Sequence, residues 1–220
     1  MNKTLSYYND NAQELTQRYE SANIEHLHAL LKKTFSPKSV LLEIGCGSGR
    51  DASFMYENGY DILAIDGSKE MIAEAKGCHP ELVDRLKVIK IPDELHFESL
   101  SFDGVYSIAT LMHLKKDMID RTLKIISTIL KPDGKFFFSV SIHRDDVDTE
   151  GKDEKGRYFT TMSEDEWIDC CRKHGLKSEH TEVSGDGLDR DGIIWLNCVV
   201  RKVVQLGIFI EKIFFKCSSL

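Results

Sequence analysis

Short apolar runs alternate along this chain with longer stretches in which apolar residues recur every three or four positions. The short runs are residues 40–44, 60–65, 86–91, 102–108 and 136–142. Strands covered on both faces read this way, as near-continuous apolar segments. Helical spacing predicts elements over residues 51–58, closed by Gly59, over a segment starting at Ser68, and over residues 116–130. In the last of these Met118, Ile119, Leu123, Ile126, Ile129 and Leu130 make a broad apolar face that should pack on a sheet. Lys131-Pro132-Asp133-Gly134 then stops the helix by turn chemistry.

The flanks follow the same logic. Residues 7–34 are predicted helical, with Ile24, Leu27, His28 and Leu31 on one face. Upstream, Tyr7, Tyr8, Leu15 and Tyr19 make an aromatic-rich segment, and Ser36-Pro37 ends it. Residues 143–157 are charged and lack an apolar period, so they read equally as a lid or as a plain solvated loop. The chain returns to the fold at Tyr158, and Ser163 with Glu166 starts a capping-box helix that ends near His174-Gly175. Residues 176–183 and 193–200 read as an antiparallel strand pair around Gly185-Asp186-Gly187. A tail over 203–220 is apolar, with Ile208, Phe209, Ile210, Ile213, Phe214 and Phe215, and suits packing on the domain or joining subunits.

With 220 residues, one domain is the natural expectation. The net charge of −7 argues against a nucleic-acid groove, which carries a basic footprint. Six cysteines without metal-finger spacing read as reduced thiols, so neither a metal site nor a disulfide framework is expected. The sequence has no signal-type apolar region at Met1–Tyr8 and no run long enough to span a bilayer, so a cytoplasmic monomer or homodimer is expected.

The stretch with the most chemistry is Val40-Leu41-Leu42-Glu43-Ile44-Gly45-Cys46-Gly47-Ser48-Gly49-Arg50-Asp51. A strand, a glycine turn and a helix in that order present free backbone N–H groups at a helix N-terminus. The third glycine comes one residue too early for the dinucleotide fingerprint, and no Lys-Ser/Thr follows as a triphosphate loop requires. A turn without a ligand remains an alternative reading. Asp66 ends the second strand about 20 residues further on, where a carboxylate can accept from a ribose diol. It could instead cap the next helix, but Ser68 is already a good N-cap with Met71 at the third helical position.

The glycine stretch resembles motif I, E/D-x-G-x-G-x-G, of the Rossmann-like, S-adenosylmethionine-dependent methyltransferases. Gly-Cys-Gly-Ser-Gly-Arg-Asp, Asn-Gly-Tyr-Asp and Ile-Asp-Gly-Ser-Lys-Glu-Met-Ile, over residues 41–72, are similar to the tellurite-resistance and thiopurine-type small-molecule branch. Phe102-Asp103-Gly104-Val105, Leu111-Met112-His113-Leu114 and Leu130-Lys131-Pro132-Asp133-Gly134 resemble later blocks of the same family. The resemblance covers roughly residues 7–200 and implies an α/β fold. It is a Rossmann-like, doubly wound, seven-stranded, mostly parallel sheet with an antiparallel final strand and helices on both faces. The domain would span 1–202, with 1–38 as a helical cap and 203–220 as an extension.

The resemblance further implies S-adenosyl-L-methionine as cofactor and a small-molecule methyl acceptor. The cofactor site would draw on Glu43, Gly45, Cys46, Gly47, Gly49 and Asp51 around the first turn, and on Asp66, Gly67, Ser68 and Met71 after strand two. Ile91, Pro92 and Asp93 would approach the adenine, although Lys90 stands where the family has an acid and a solvated loop is an equal reading. Ser107, Ile108 and Ala109 would face the methionine end. Tyr7, Tyr8, Tyr19, His143 and Tyr158 are candidates to line the acceptor pocket, the tyrosines alternatively being packing residues. His113 is the candidate catalytic group, with support of its loop as the plainer reading. Methyl transfer is an in-line displacement that needs positioning more than acid–base chemistry. A nicotinamide oxidoreductase, or a binding protein that keeps the pocket without the activity, are the other readings.

Overall fold

The run Leu41-Leu42-Glu43-Ile44 sends alternate side chains to opposite sides of a strand, β1 (Val40–Ile44), and both sides are covered. Leu42 and Ile44 join one apolar core, and Leu41 joins another. The computed structural model of the chain, which describes residues 3–186 and 190–203, builds a seven-stranded sheet around this strand. The other strands are β2 (Asp61–Asp66), β3 (Leu86–Val88), β4 (Phe102–Ile108), β5 (Leu130–Arg144), β6 (Leu176–Gly185) and β7 (Ile193–Lys202). Their order is β3-β2-β1-β4-β5-β7-β6. Pairing from β3 through to β5 is parallel, and β7 runs antiparallel to both its neighbours, as the resemblance implies.

Helices α1 (Lys3–Asp10), α2 (Ala12–Glu20), α3 (Glu25–Thr34), α4 (Arg50–Glu57), α5 (Lys69–Cys78), α6 (Lys116–Ile129) and α7 (Glu164–Lys173) complete the fold. Leu31 of α3, Met55 of α4 and Ala75 of α5 bury one face of the sheet, against Leu41, Tyr106 and Phe137. Ile119, Leu123 and Ile126 of α6, with Trp167 of α7, cover the other face, against Leu42, Phe136 and Phe138. Three consecutive phenylalanines are therefore not a local excess. Neighbours along a strand serve opposite cores, and each core needs its own apolar residue.

Three departures from the expected elements have local causes. The single helix over 7–34 is three helices. Asn11 breaks the first by turning its side chain onto the Tyr7 carbonyl at 2.8 Å, and the Asn23 side chain accepts from the Glu25 N–H at the start of α3. The third strand stops at Val88 rather than residue 91. It is an edge strand, the Lys90 N–H bonds the Glu94 carboxylate at 2.9 Å, and Pro92 has no N–H to give. The turn at 131–134 lies inside β5 as an irregularity, with Asp133 at φ 61°, before pairing with β4 resumes at Lys135.

The expected helix starts are present. Ser68 Oγ accepts the Met71 N–H at 3.1 Å, and Ser163 with Glu166 forms a reciprocal capping box. The charged stretch after β5 folds back on itself through bridges Val147–Asp153 and Lys152–Tyr158. Its Asp153 is buried and accepts from the backbone and side chain of Arg157. The tail beyond Val203, with Cys217, and Gly187 in the last turn lie outside the described residues.

Candidate functional site at the carboxyl edge of the sheet

From β1 the chain winds outward to β3, then returns to place β4 on the other side of β1. In open α/β sheets ligands sit beyond the strand ends at such a reversal of order. A cavity of about 720 Å³ lies here. It is lined by the turn after β1, the ends of β2 and β4, the N-terminal helices and the ends of β6 and β7.

The glycine turn makes one wall. Gly45 and Gly47 sit at φ +79° and +56°, values that L side chains rarely adopt. The Gly45 and Cys46 N–H groups bond the Ile65 carbonyl at 2.7 and 3.0 Å, which ties the turn to β2. The Gly47 N–H reaches the Asp66 carboxylate at 3.1 Å, and the Ser68 N–H reaches its other oxygen at 2.8 Å. Each oxygen of Asp66 keeps further lone-pair capacity, and the residue lines the cavity. Burial raises the Asp66 pKa above the ordinary carboxylate value, outweighing the backbone N–H groups of Ser68, Gly47 and Gly67. Across the turn Thr110 Oγ1 donates to the Ile108 carbonyl at 3.0 Å, at the end of β4.

Asp51, in the first turn of α4, also reaches the cavity. It accepts from His28 Nε2 at 2.9 Å and from Arg50 at 3.1 Å. Burial opposes its ionisation, but the His28 bond and the Arg50 charge win and hold it below the usual range. Glu43 is spent inside the fold, where Tyr106 donates to it at 3.1 Å. Burial and then the Asp51 charge push Glu43 well above the carboxylate range.

His113 lies at the other end. Its Nδ1 is 2.8 Å from the Tyr158 carbonyl and its Nε2 is 3.0 Å from the Tyr8 hydroxyl. A carbonyl only accepts, so Nδ1 carries the proton and the Tyr8 O–H donates to bare Nε2. Burial, with the nearby Arg157 and Arg144 charges, pushes this imidazole down to about 4. Its native form is therefore neutral at pH 7.

A pH experiment follows, with its sign fixed by that shift. The native state binds the proton with pKa about 4 against 6.5 for an unperturbed histidine. Stability contributed by neutral His113 is thus complete above pH 6.5 and is lost as pH falls towards 4. Urea midpoints for the parent and for His113→Gln should converge as pH is lowered through that window. Parallel curves would mean the imidazole titrates normally.

The structure brings together thirteen of the residues expected at the site. Gly45, Cys46, Gly47, Asp51, Asp66, Gly67, Ile91, Asp93, Ile108, Ala109, His113, Tyr8 and Tyr19 all line the cavity. Nine others are not among its lining: Glu43, Gly49, Ser68, Met71, Pro92, Ser107, Tyr7, His143 and Tyr158. Most of these act from behind. Gly49 takes φ +84° at the start of α4, Ser68 caps α5, and Ser107 Oγ donates to the Ile44 carbonyl. Tyr158 contributes its backbone, and Tyr7 packs under the Arg157 guanidinium at 5.0 Å. His143 is exposed and pairs with Asp145.

Sequence reasoning missed Arg144, Arg157, Arg190, Trp195 and Asn197, which line the same cavity. Position gave one signal: Arg144 closes β5, at the sheet edge where ligands bind. The others arrive from the loop after β5 and from the β6–β7 pair, whose placement no local pattern specifies.

A glycine turn at the reversal of strand order, facing a carboxylate at the end of the second strand, is the arrangement at which open α/β sheets place a ligand. Residues 15–181 match a family model described as a methyltransferase domain, and the chain belongs to that family. A sterol 4-C-methyltransferase of Caenorhabditis elegans is 26% identical over 185 residues, covering 80% of this chain and 52% of that protein. A ubiquinone biosynthesis O-methyltransferase of Acinetobacter baumannii is 32% identical over 103 residues, covering 45% of this chain and 42% of the other. The chain thus spans about half the length of these curated relatives. In fold it is similar to 1,6-didemethyltoxoflavin-N1-methyltransferase of Burkholderia thailandensis, solved with its acceptor and S-adenosylhomocysteine. The TM-score is 0.74 at 20% identity, over 92% of this chain and 88% of that one. Among the described residues, no helix is long and apolar enough to cross a membrane.

Proposed function

We propose that this chain is an S-adenosylmethionine-dependent methyltransferase that acts on a small-molecule acceptor. The observation that carries the reading is the meeting of Gly47 and Asp66 on one cavity wall, with a backbone-anchored carboxylate that keeps lone-pair capacity beside a side-chain-free turn. A nucleoside fits there. A Cβ at Gly47 would meet Tyr19 and Met71 at ordinary contact distances of 3.5 and 3.8 Å, so φ +56° rather than a clash is what favours glycine there. Two diol hydroxyls donating to Asp66 would offset the burial that now raises its pKa.

When bound, the cofactor supplies a methyl on a sulfonium, whose C–S bond breaks with the electron pair staying on sulfur. Asp66 would hold the ribose, Ile91 and Asp93 would flank the adenine, and Ile108, Ala109 and Thr110 would border the methionine end. Tyr8 offers its hydroxyl oxygen to the acceptor while its proton is committed to His113. His113 is then a positioning residue: a nitrogen titrating at about 4 and already hydrogen-bonded makes a weak general base. An acceptor that arrives ionised, or ionises readily, suits this site. The likeness of residues 41–72 to the tellurite-resistance and thiopurine-type branch supports such a nucleophile.

In this reading residues 1–202 form one catalytic unit, with 1–38 as its cap and 203–220 as an apolar extension. The enzyme works in the cytoplasm as a monomer or homodimer. The test is calorimetric titration with S-adenosylhomocysteine and, separately, NADH, followed by transfer of labelled methyl to small acceptors. Binding of the first alone is expected; binding of NADH alone, or of neither, rejects the reading. Gly47→Val provides a check on the turn. It should cost roughly 1–2 kcal/mol for a left-handed backbone and leave the protein folded. Binding should fall by more than tenfold because the added side chain presses on Tyr19 in the cavity wall and distorts the turn. Unimpaired titration would mean the glycine serves the turn alone.

A further inference from the structure

The end of the cavity away from the glycine turn is built from arginine. Arg144, Arg157 and Arg190 all line it, in a chain whose net charge is −7. Each guanidinium is held along one edge by an aspartate. Arg144 gives Nε and Nη2 to Asp146 at 2.8 and 2.6 Å, and Arg190 gives the same atoms to Asp186 at 2.9 and 2.7 Å. Arg157 meets Asp153 through Nε at 2.8 Å and Nη2 at 2.6 Å. None of these bonds uses Nη1, although Arg157 also hydrogen-bonds the Tyr8 side chain. A guanidinium fixed along one edge has its remaining N–H donors aimed in advance, the arrangement that recognises a planar carboxylate.

Charge is distributed to the same end. The Arg144 side chain is 3% exposed while its partner Asp146 is 46% exposed, so the cation lies inside and its counter-charge faces water. Asp146 and Asp153 are absent from the cavity lining, whereas the buried Asp186 lies in it beside Arg190. Arg144 sits 4.0 Å and Arg157 5.3 Å from the centre of the Phe159 ring, which is itself buried and in the wall. That ring fixes both cations from below without neutralising them. The two charges reach the reaction end, since both help to depress His113. Trp195 and Asn197 complete the wall, with the Trp195 indole N–H given to Asp186 at 2.8 Å.

We propose that the acceptor is a small organic acid, bound as its carboxylate by the remaining edges of Arg144 and Arg190, with the Arg157 charge beside them. This deepens the methyltransferase reading and rests on it. The carboxylate anchors the acceptor at the β5–β7 end, and its nucleophilic atom points back past Tyr8 towards the cofactor end. The arginines also favour an ionised nucleophile, which makes good the lack of a strong base at His113. A neutral acceptor would leave the Arg144 and Arg190 edges without an acceptor, at a cost the site would feel as lost affinity.

The test uses the full chain loaded with S-adenosylhomocysteine, and as probes benzoate, 4-hydroxybenzoate, salicylate, indole-3-acetate and glutarate, each paired with its neutral primary amide. Calorimetry should find at least one carboxylate bound tenfold or more tightly than its amide. That preference should shrink by tenfold in Arg144→Met and by severalfold in Arg190→Gln, with S-adenosylhomocysteine affinity kept. Arg190 is partly exposed, so its variant keeps the test valid if the buried Arg144 change impairs folding. No carboxylate preference, or one unchanged in Arg190→Gln and in folded Arg144→Met, overturns the proposal while leaving the methyltransferase reading intact. If S-adenosylhomocysteine does not bind, the same paired titrations on the unloaded protein still decide the anion site, and only the methyltransferase reading falls.

Discussion

Asp66→Ala is expected to weaken S-adenosylhomocysteine binding by at least tenfold, and by more if both ribose hydroxyls lose their partner. Leaving a donor unpaired in a partly buried site costs about 1–3 kcal/mol, and in the proposed function two hydroxyls would share this carboxylate. The same change acts on the protein without ligand. Asp66 accepts from the N–H groups of Gly47 and Ser68, so alanine orphans both and loosens the turn. Asp66→Asn is a milder variant: it keeps an acceptor oxygen for one turn N–H but sets a donor against the other and against a hydroxyl proton, so the urea midpoint is what separates the two effects. Titration at fixed pH, beside a urea midpoint for each variant, is the measurement. Full affinity in Asp66→Ala would remove the ribose role and leave a purely structural carboxylate.

Gly45→Ala should be the most damaging small substitution in the molecule. A Cβ there would lie 2.0 Å from Thr110 Oγ1 and 2.6 Å from Thr110 Cβ, across the gap between the ends of β1 and β4. The backbone at φ +79° adds strain of its own. Together, overpacking and the strained conformation should cost roughly 2–4 kcal/mol. Relief of the clash by opening that gap would also spoil the floor of the cofactor site. The double variant Gly45→Ala/Thr110→Ala removes the collision but not the backbone strain, so it should recover part of the stability. If it recovers none, close approach of the two strand ends is not what demands glycine.

The two predictions draw on features of different legibility. The glycine turn and Asp66 were readable because each is local: a strand, a positive-φ turn and a helix occupy adjacent residues, and the next strand ends one crossover later. The two apolar cores were likewise written in the runs at 40–44 and 136–142, since a doubly covered strand has no polar face to show. Helix breaks at Asn11 and Asn23 were harder, because each depends on one side chain competing with the backbone. His113 was visible as a titratable group, but its tautomer depends on Tyr8 and Tyr158, and its weak basicity on burial and the charges of Arg157 and Arg144, all distant in the chain.

The linear pattern by itself determined the strand–helix alternation, the parallel sheet that follows from it, and the half of the cavity built by the first turns. Those features rest on local periodicity and backbone conformation, which neighbouring residues dictate. The arginine-lined half was decided only by tertiary structure. Arg144, Arg157 and Arg190 come from a strand end, a polar loop and a late hairpin. Each looks like an ordinary surface charge until the fold pairs it with an aspartate and brings it to the cavity wall. Burial and convergence are properties of packing across the whole chain, and no window of residues along it encodes them.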